Sequence, residues 1–274
     1  MGSESPLRLP TIDFSNVDLK PGTIVWNSVK LQVKEALEEF GCFEAVYNQV
    51  PAELHKALFS SLEELFDLPL QTKLQNRSSK PFHGYVGQYP MIPLYESMGI
   101  EDAPTLEIAE NFTNMMWPEG NANFCKTVYS YSKQVAELDQ VVRRMVLESL
   151  GVEKYYDEHV ESTTYLLRVM KYKGPQTNET KLGLNSHTDK NIAWTNGRLH
   201  SPHHRVMMTG NEARYSTGLF SFPKAGYIVK APEELVDEDH PLLFKPFDHV
   251  EFFSFYYTEE GQMCKSALKT YCGV

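Results

Sequence analysis

The chain has 274 residues, of which 42% are apolar and 23% charged, and its formal net charge is −10. This length and composition predict a soluble globular protein with one large domain or two smaller ones. The acidic charge argues against nucleic acids and anionic membranes as partners. Four scattered cysteines without a CxxC pair predict reduced thiols in a cytoplasmic protein rather than a disulfide framework.

The first half of the sequence has mainly helical patterns. Apolar spacing predicts strands at 9–15 and 42–48 and helices at 26–41, 51–69 and 124–151. Residues 76–118 are rich in Pro, Gly, Tyr and Met and predict an irregular segment. Such a segment inside a compact protein usually covers a surface or lines a cavity.

From residue 163 the pattern changes to short apolar runs separated by turn residues, which is typical of antiparallel β structure. The C-terminal part is helical and aromatic, and its "FFSFYY" run (252–257) is a candidate pocket lining, although such runs more often form plain core. The sequence therefore predicts an α+β protein with a helical region at 1–160 and a β-rich region at 161–274.

Two short patterns have the residue types of a metal and anion site. In "HTD", His187 and Asp189 are two residues apart, so on a strand both would point to one face. With a second histidine they would form the two-His-one-carboxylate triad that suits Fe(II). In "ARYS", Arg214 and Ser216 have the same spacing, and an arginine fork with a neighbouring hydroxyl suits a carboxylate. Taken alone, each pattern is more often structural.

The order of these patterns and their context resemble the plant 2-oxoglutarate- and Fe(II)-dependent dioxygenases. The resemblance covers nearly the whole chain and is closest to the AOP-type, glucosinolate-modifying subgroup. It rests on these segments: "LPTIDFS", "FGCFEAVYNQV", "FDLPLQTK", "HGYVG", "MKYKGP", "GLNSHTDKN", "TNGRLHSPHHRV" and "ARYSTGLFSFP".

The resemblance implies a double-stranded β-helix (jelly-roll) core with helices outside. It also implies Fe(II), 2-oxoglutarate and O₂, with ascorbate as reductant and a small-molecule, specialised plant metabolite as substrate for a monomer. The implied roles are iron ligation by His187, Asp189 and His204, binding of the distal carboxylate of 2-oxoglutarate by Arg214 and Ser216, and cosubstrate contact by Tyr172. His203 matches a variable position and is expected to be a bystander.

The sequence departs from the family between the first two ligands and the third. Family members have several strands there, whereas this chain continues directly from Ile192 to Ala193, which predicts an incomplete jelly roll. The Asn196-Gly197 pair predicts a two-residue hairpin turn. Continuing the pairing outward from this turn places Asp189 opposite His204 and His187 opposite Val206, with all three ligands on one face.

Two other functions stay open at this point. The shortened chain is alternatively a catalytically inactive isoform of the family, which the missing segment favours. A zinc hydrolase is less well supported, because the sequence has no HExxH motif to supply a general base.

Overall fold

A computed structural model describes residues 8–189 and 192–274, without the side chains of residues 178 and 179. The first seven residues of the predicted region 1–160, and the Lys190-Asn191 pair of the "HTDKN" segment, therefore lie outside the described residues.

Within the described residues, the helical half contains a small parallel strand pair, a third strand, three long helices and two shorter ones. Its elements are β1 (Thr11–Asp13), α1 (Ile24–Glu39), β2 (Glu44–Val46), α2 (Ala52–Asp67), α3 (Leu70–Lys73), β3 (Tyr95–Glu101), α4 (Leu106–Met116) and α5 (Ala122–Ser149). The start and end of α1 follow from its flanking residues. The Thr23 side chain accepts a hydrogen bond from the Trp26 amide, and Gly41, just beyond the helix, has a φ of 71°.

The prediction of an irregular segment over 76–118 is wrong for its second part, which contains β3 and α4. Six of the seven β3 residues are buried, so both faces of this strand are covered and its sequence, "YESMGIE", shows no apolar–polar alternation. The strand forms because all seven of its residues pair with a partner strand 60 or more residues later in the chain.

The second half contains the remaining strands and three short C-terminal helices. Its elements are α6 (Tyr156–Glu161), β4 (Thr163–Tyr172), β5 (Thr177–His187), β6 (His204–Gly210), β7 (Arg214–Pro223), β8 (Ile228–Val229), β9 (Phe247–Asp248), α7 (His249–Tyr256), α8 (Glu259–Met263) and α9 (Ala267–Cys272). The α+β class is as predicted. Because β3 pairs with β4, one sheet contains strands from both sides of residue 160.

The central sheet is antiparallel with the order β3-β4-β7, and β5 and β6 form a separate antiparallel pair. Alternate residues of β4 point to opposite faces. Leu167 and Val169 pack in the main core against α2, α4 and α5. Tyr172 points the other way and packs with Leu184, Val206 and Met208 of the β5–β6 pair. The space between the two sheets is therefore the interior of the β-rich half.

Two properties of the described chain bear on the expectations from composition. Cys42, Cys125, Cys264 and Cys272 are all free thiols, as predicted. Among the described helices, none combines the length and the apolar character that crossing a membrane requires.

Candidate metal and cosubstrate site

The predicted ligands His187, Asp189 and His204 lie together at one end of the β5–β6 pair. One ligand atom from each of the three side chains lies within 4.8 Å of the other two. The two imidazole rings have their centroids 4.2 Å apart. Two imidazoles and one carboxylate at this separation match the donor set that holds Fe(II) while leaving coordination positions open.

Backbone carbonyls fix the orientation of both imidazoles. Nδ1 of His187 is 2.9 Å from the Asn185 carbonyl oxygen, and Nδ1 of His204 is 3.2 Å from the Pro202 carbonyl oxygen. A carbonyl only accepts, so each Nδ1 carries the proton and each Nε2 keeps its lone pair. This arrangement is the one that presents a neutral histidine to a metal ion.

An irregularity in β5 brings His187 to the same side as the interior residues of that strand. Leu184 pairs with Val206 and His187 pairs with His204, so three steps on β5 correspond to two steps on β6. An extra residue of this kind is a β-bulge, which re-aims the side chains beyond it. Without the bulge, the odd spacing between Leu184 and His187 would place the imidazole on the opposite face.

The predicted register at the site is wrong. His187, rather than Asp189, lies opposite His204, and Leu184, rather than His187, lies opposite Val206. Asp189 lies beyond the end of β5, where its backbone amide donates to the Ser201 hydroxyl at 2.9 Å. The site therefore consists of two histidines paired across β5 and β6 and an aspartate in the loop after β5. The three ligands do not lie on one continuous hairpin.

The predicted Asn-Gly turn does form, but it does not join paired strands. Asn196 has φ 51° and ψ 38°, Gly197 has φ 76°, and the Arg198 amide donates to the Thr195 carbonyl at 3.1 Å. These dihedrals are close to those of a type I′ turn. The turn follows a 3₁₀ helix, Ala193–Thr195, and β6 starts only at His204.

The Asn196 side chain explains why the turn leaves the strands. Its amide nitrogen donates to the Leu235, His240 and Pro241 carbonyls at 3.1–3.3 Å, and its oxygen accepts from the Leu243 amide at 2.9 Å. The side chain is almost completely buried, with 3% of the residue exposed. The segment after Ile192 is therefore bound to the 235–243 segment instead of continuing the β5–β6 pairing.

The triad is open to solvent on one side. Asp189 and His204 are exposed and His187 is partly buried. The β5–β6 pair has only two strands, so both strands keep an unpaired edge within the described residues. This openness is what the loss of neighbouring strands would produce.

The predicted cosubstrate residues lie on the interior face of the central sheet. Arg214 is opposite Tyr172 and Ser216 is opposite Met170 across the β4–β7 pairing, so all four side chains share that face. Arg214 Nη1 donates to Ser216 Oγ at 3.4 Å, and the guanidinium carbon lies 5.4 Å from the centre of the Tyr172 ring. Arg214 is exposed, so its fork is accessible to a carboxylate.

The ring of Tyr172 packs against the guanidinium of Arg214. The residue is 1% exposed, and its hydroxyl contacts Met170 Sδ at 3.8 Å. Burial raises the pKa of Tyr172 to about 12, with a smaller contribution from Tyr95, so the phenol is neutral at physiological pH. Its predicted direct contact with the cosubstrate stays a prediction.

A cavity of about 330 Å³ opens beside His187 and Asp189. Two segments singled out from the sequence line it: 81–95, from the Pro- and Tyr-rich stretch, and 253–257, from the aromatic "FFSFYY" run. Arg168 also lines this cavity and is not among the site residues predicted from the sequence. The available signal was the second charge, besides Lys171, in the largely apolar run "YLLRVMKY" (165–172), at a position of the opposite parity to Lys171.

Comparisons with known proteins identify the family of this chain. The family model for the "non-haem dioxygenase in morphine synthesis N-terminal" region matches residues 9–92. The chain is 46% identical to probable 2-oxoglutarate-dependent dioxygenase AOP1.2 of Arabidopsis thaliana, over 96% of this chain and 95% of the relative. It is 31% identical to a probable inactive 2-oxoglutarate-dependent dioxygenase, AOP2, of the same plant, over 100% of this chain and 99% of the relative.

Among solved structures, the rice dioxygenase for auxin oxidation superimposes with a TM-score of 0.79 at 24% identity, covering 97% of this chain and 100% of that one. The chain thus belongs to the family of 2-oxoglutarate-dependent dioxygenases, enzymes that require Fe(II) and 2-oxoglutarate and act with O₂. Within that family it is similar to the AOP-type plant enzymes, as the sequence motifs predict.

The comparison also supports a shortened chain. The alignment with AOP1.2 extends over 310 positions, although the whole chain has 274 residues. The relative therefore has at least 36 positions with no counterpart here. The location of the shortening at Ile192–Ala193 stays a prediction.

Proposed function

We propose that this chain is an Fe(II)- and 2-oxoglutarate-dependent dioxygenase that oxidises a small, specialised plant metabolite. His187, Asp189 and His204 hold the iron, and Arg214 with Ser216 holds the far carboxylate of 2-oxoglutarate. The observation that carries the proposal is the convergence of three ligand atoms within 4.8 Å of one another. The carbonyl contacts of both Nδ1 atoms support it, because they leave both Nε2 atoms free to bind metal.

When bound, Fe(II) supplies the activation of O₂ that is coupled to conversion of 2-oxoglutarate into succinate and CO₂. The residues of the chain bind and orient the reactants. The cation of Arg214 and the hydroxyl of Ser216 fix one end of the cosubstrate, and the aromatic wall of the cavity excludes water from the substrate.

The family relationship and the two facing sheets support an incomplete double-stranded β-helix as the finer description of the fold. We include in the proposal ascorbate as reductant, a monomeric state, a cytoplasmic location, and no nucleic-acid or membrane partner. The acidic net charge of −10 supports a monomer without a nucleic-acid or membrane partner. The four free thiols support the cytoplasmic location.

An inactive isoform is the second candidate. The observation that favours it is the exposure of Asp189 and His204, because a metal site needs a surrounding shell that limits solvent access. Under this alternative the chain keeps the ligand set but does not couple 2-oxoglutarate consumption to oxidation of a substrate.

Succinate formation from 2-oxoglutarate under air, with and without Fe(II), tests the proposal. We expect iron-dependent succinate from the wild type and a loss of at least about 100-fold in His187→Ala, since two ligands hold iron poorly. His203→Ala is the matched control, because His203 is an exposed neighbour of His204, and it should keep wild-type activity. Equal succinate formation by wild type and His187→Ala would refute the triad, and no iron-dependent succinate from the wild type would favour the inactive isoform.

A further inference from the structure

Arg168 is a cation inside the cavity that adjoins the triad. It lies in the middle of β4, the central strand of the sheet, and faces the space between the two sheets together with Met170 and Tyr172. Its partners across both neighbouring strands are glycines, Gly99 on β3 and Gly218 on β7. No side chain is therefore placed directly opposite Arg168 on either side.

The guanidinium is oriented by neutral groups alone. Nη2 donates to the Tyr95 hydroxyl and, at 2.9 Å, to the Ser97 hydroxyl, while the guanidinium carbon lies 4.8 Å from the centre of the Phe82 ring. Nε is buried and has no hydrogen-bond partner among the described residues. Within that same part of the chain, no carboxylate lies within 4.0 Å of this guanidinium.

A partly buried arginine without a counterion is unusual, because a desolvated charge is costly unless an opposite charge or further hydrogen bonds compensate it. The other described residues that line the cavity do not compensate it. They supply a single carboxylate, Asp189, which the proposed function assigns to the metal. The remaining lining is largely aromatic: Phe82, Tyr95, Phe220, Phe222, Phe253, Tyr256 and Tyr257.

Arg168 is also distinct from the arginine assigned to 2-oxoglutarate. Arg214 lies opposite Tyr172, four residues beyond Arg168 along β4, and it is not part of the described cavity lining. Four residues of a strand span about 13 Å. The interior face of the sheet thus presents two separate cations, one at the predicted cosubstrate site and one in the aromatic cavity.

We propose that Arg168 binds a carboxylate of the organic substrate, so that this dioxygenase acts on a small acid with an apolar or aromatic body. The inference rests on the proposed function for the assignment of Arg214 and Asp189. A planar carboxylate would accept from the guanidinium atoms that Tyr95 and Ser97 leave free, and the apolar body would lie against the aromatic wall. Arg168 is then a specificity-determining residue.

The test uses probes that differ only in charge: the series of phenylalkanoic acids from benzoate to 4-phenylbutanoate, each with its primary amide. Binding is measured by calorimetry on the protein loaded with Fe(II) and 2-oxoglutarate under nitrogen, and again on the metal-free protein. We expect at least one acid to bind about tenfold or more tightly than its amide, the size of one charged hydrogen-bonded contact.

Two variants separate charge from fold. Arg168→Gln should abolish the preference for the acid, and Arg168→Lys should keep part of it, since the positive charge remains. The matched control Arg77→Gln makes the same charge change at an exposed residue that does not line the cavity, and it should leave the preference unchanged. Affinity for 2-oxoglutarate should stay within about twofold in all three variants.

The outcomes are distinguishable from those that test the proposed function. Acids that bind no better than amides across the series, or a preference that persists in Arg168→Gln, would overturn the assignment. So would a parallel loss of 2-oxoglutarate binding in Arg168→Gln, which would make Arg168 a cosubstrate residue. If the wild type binds neither Fe(II) nor 2-oxoglutarate, the proposed function fails, while the acid preference of the metal-free protein still tests Arg168.

Discussion

At the scale of single residues, the site depends on a few side chains whose freedom is removed by their neighbours. His187 and His204 are oriented by carbonyls two residues before them. Arg214 lies over the ring of a tyrosine that is 1% exposed. Such supports hold polar groups in place before any ligand arrives, which lowers the entropy cost of binding it.

The first residue-scale prediction concerns Arg214. Arg214→Ala should raise the KM for 2-oxoglutarate by about tenfold to a hundredfold, because it removes a charge-assisted contact to the carboxylate. Arg214→Lys should recover only part of the loss, since an ammonium cannot bind a carboxylate with two parallel hydrogen bonds.

Initial rates of succinate formation at varied 2-oxoglutarate give the KM values. Arg77→Ala, which removes an exposed arginine outside the site, serves as the control and should leave KM unchanged. A KM within twofold of wild type in Arg214→Ala would show that another group binds the cosubstrate.

At the scale of elements, the segment that joins Asp189 to His204 decides whether a shortened chain can bring its ligands together. The bulge in β5 aligns His187 with His204. The turn at Asn196 is bound to residues 235–243, and Ser201 contacts the Asp189 amide. The connection is thus short but fixed at both the turn and the ligand.

The element-scale prediction concerns the turn. In Asn196→Gly the new residue tolerates positive φ, but the buried hydrogen bonds of the Asn196 side chain are lost. The free energy of unfolding should therefore fall by about 2 kcal/mol or more. Asn196→Ala should lose about 1 kcal/mol further, because alanine is strained at φ 51°. Urea denaturation monitored by circular dichroism measures the free energy of unfolding of both variants. Equal stability of the wild type and Asn196→Gly would contradict the role of these bonds.

Local patterns were sufficient to predict the three longest described helices (α1, α2 and α5), the existence of the β-rich half and the ligand trio. The helix α1 could be predicted because its cap, apolar spacing and terminal glycine all lie within 20 residues. Strand β3 could not, because its burial on both faces depends on pairing with β4 about 70 residues later. The register at the site failed for the same reason. The Asn-Gly turn was recognised, but the contacts of Asn196 with residues 235–243 are not local.

Arg168 illustrates why a candidate ligand-binding residue can be missed when only the sequence is considered. An arginine in a largely apolar run is compatible with a surface position, an ion pair or a ligand contact. Only the paired register, which places Gly99 and Gly218 beside it, and the surrounding cavity distinguish these cases. The triad was more accessible, because the spacing of His187 and Asp189 and the residues after His204 are read directly from the sequence.

At the scale of the whole molecule, stability should depend on a partly buried histidine, His159, and a buried one, His249, which line the same small cavity. Burial lowers the pKa of His159 to about 4, with the Arg143 cation adding to the shift, and burial likewise lowers the pKa of His249 to about 4. A histidine in the unfolded chain has a pKa near its ordinary value of 6.5. Between these values the unfolded chain binds more protons than the folded protein, so stability falls as the pH falls from about 6.5 towards 4.

We expect each histidine to contribute about 3 kcal/mol to this loss, as a shift of between two and three pKa units implies. Urea denaturation at several pH values from 7 to 4.5 measures the slope. His159→Gln and His249→Gln should each flatten it, whereas His55→Gln, at an exposed position on α2, should not. An unchanged slope in the two variants would assign the acid sensitivity to carboxylates, such as Glu101 and Glu148, whose ion-pair partners lower their pKa values.

The central claim is that a chain lacking at least 36 positions of its relative still assembles the iron and cosubstrate site. The most direct measurement is binding of 2-oxoglutarate under nitrogen, by calorimetry, with and without Fe(II), in the wild type and His187→Ala. The account predicts that Fe(II) strengthens 2-oxoglutarate binding at least tenfold in the wild type, because the cosubstrate chelates the metal, and not in His187→Ala. Binding that is independent of Fe(II), or equally strengthened by it in both proteins, would contradict the claim.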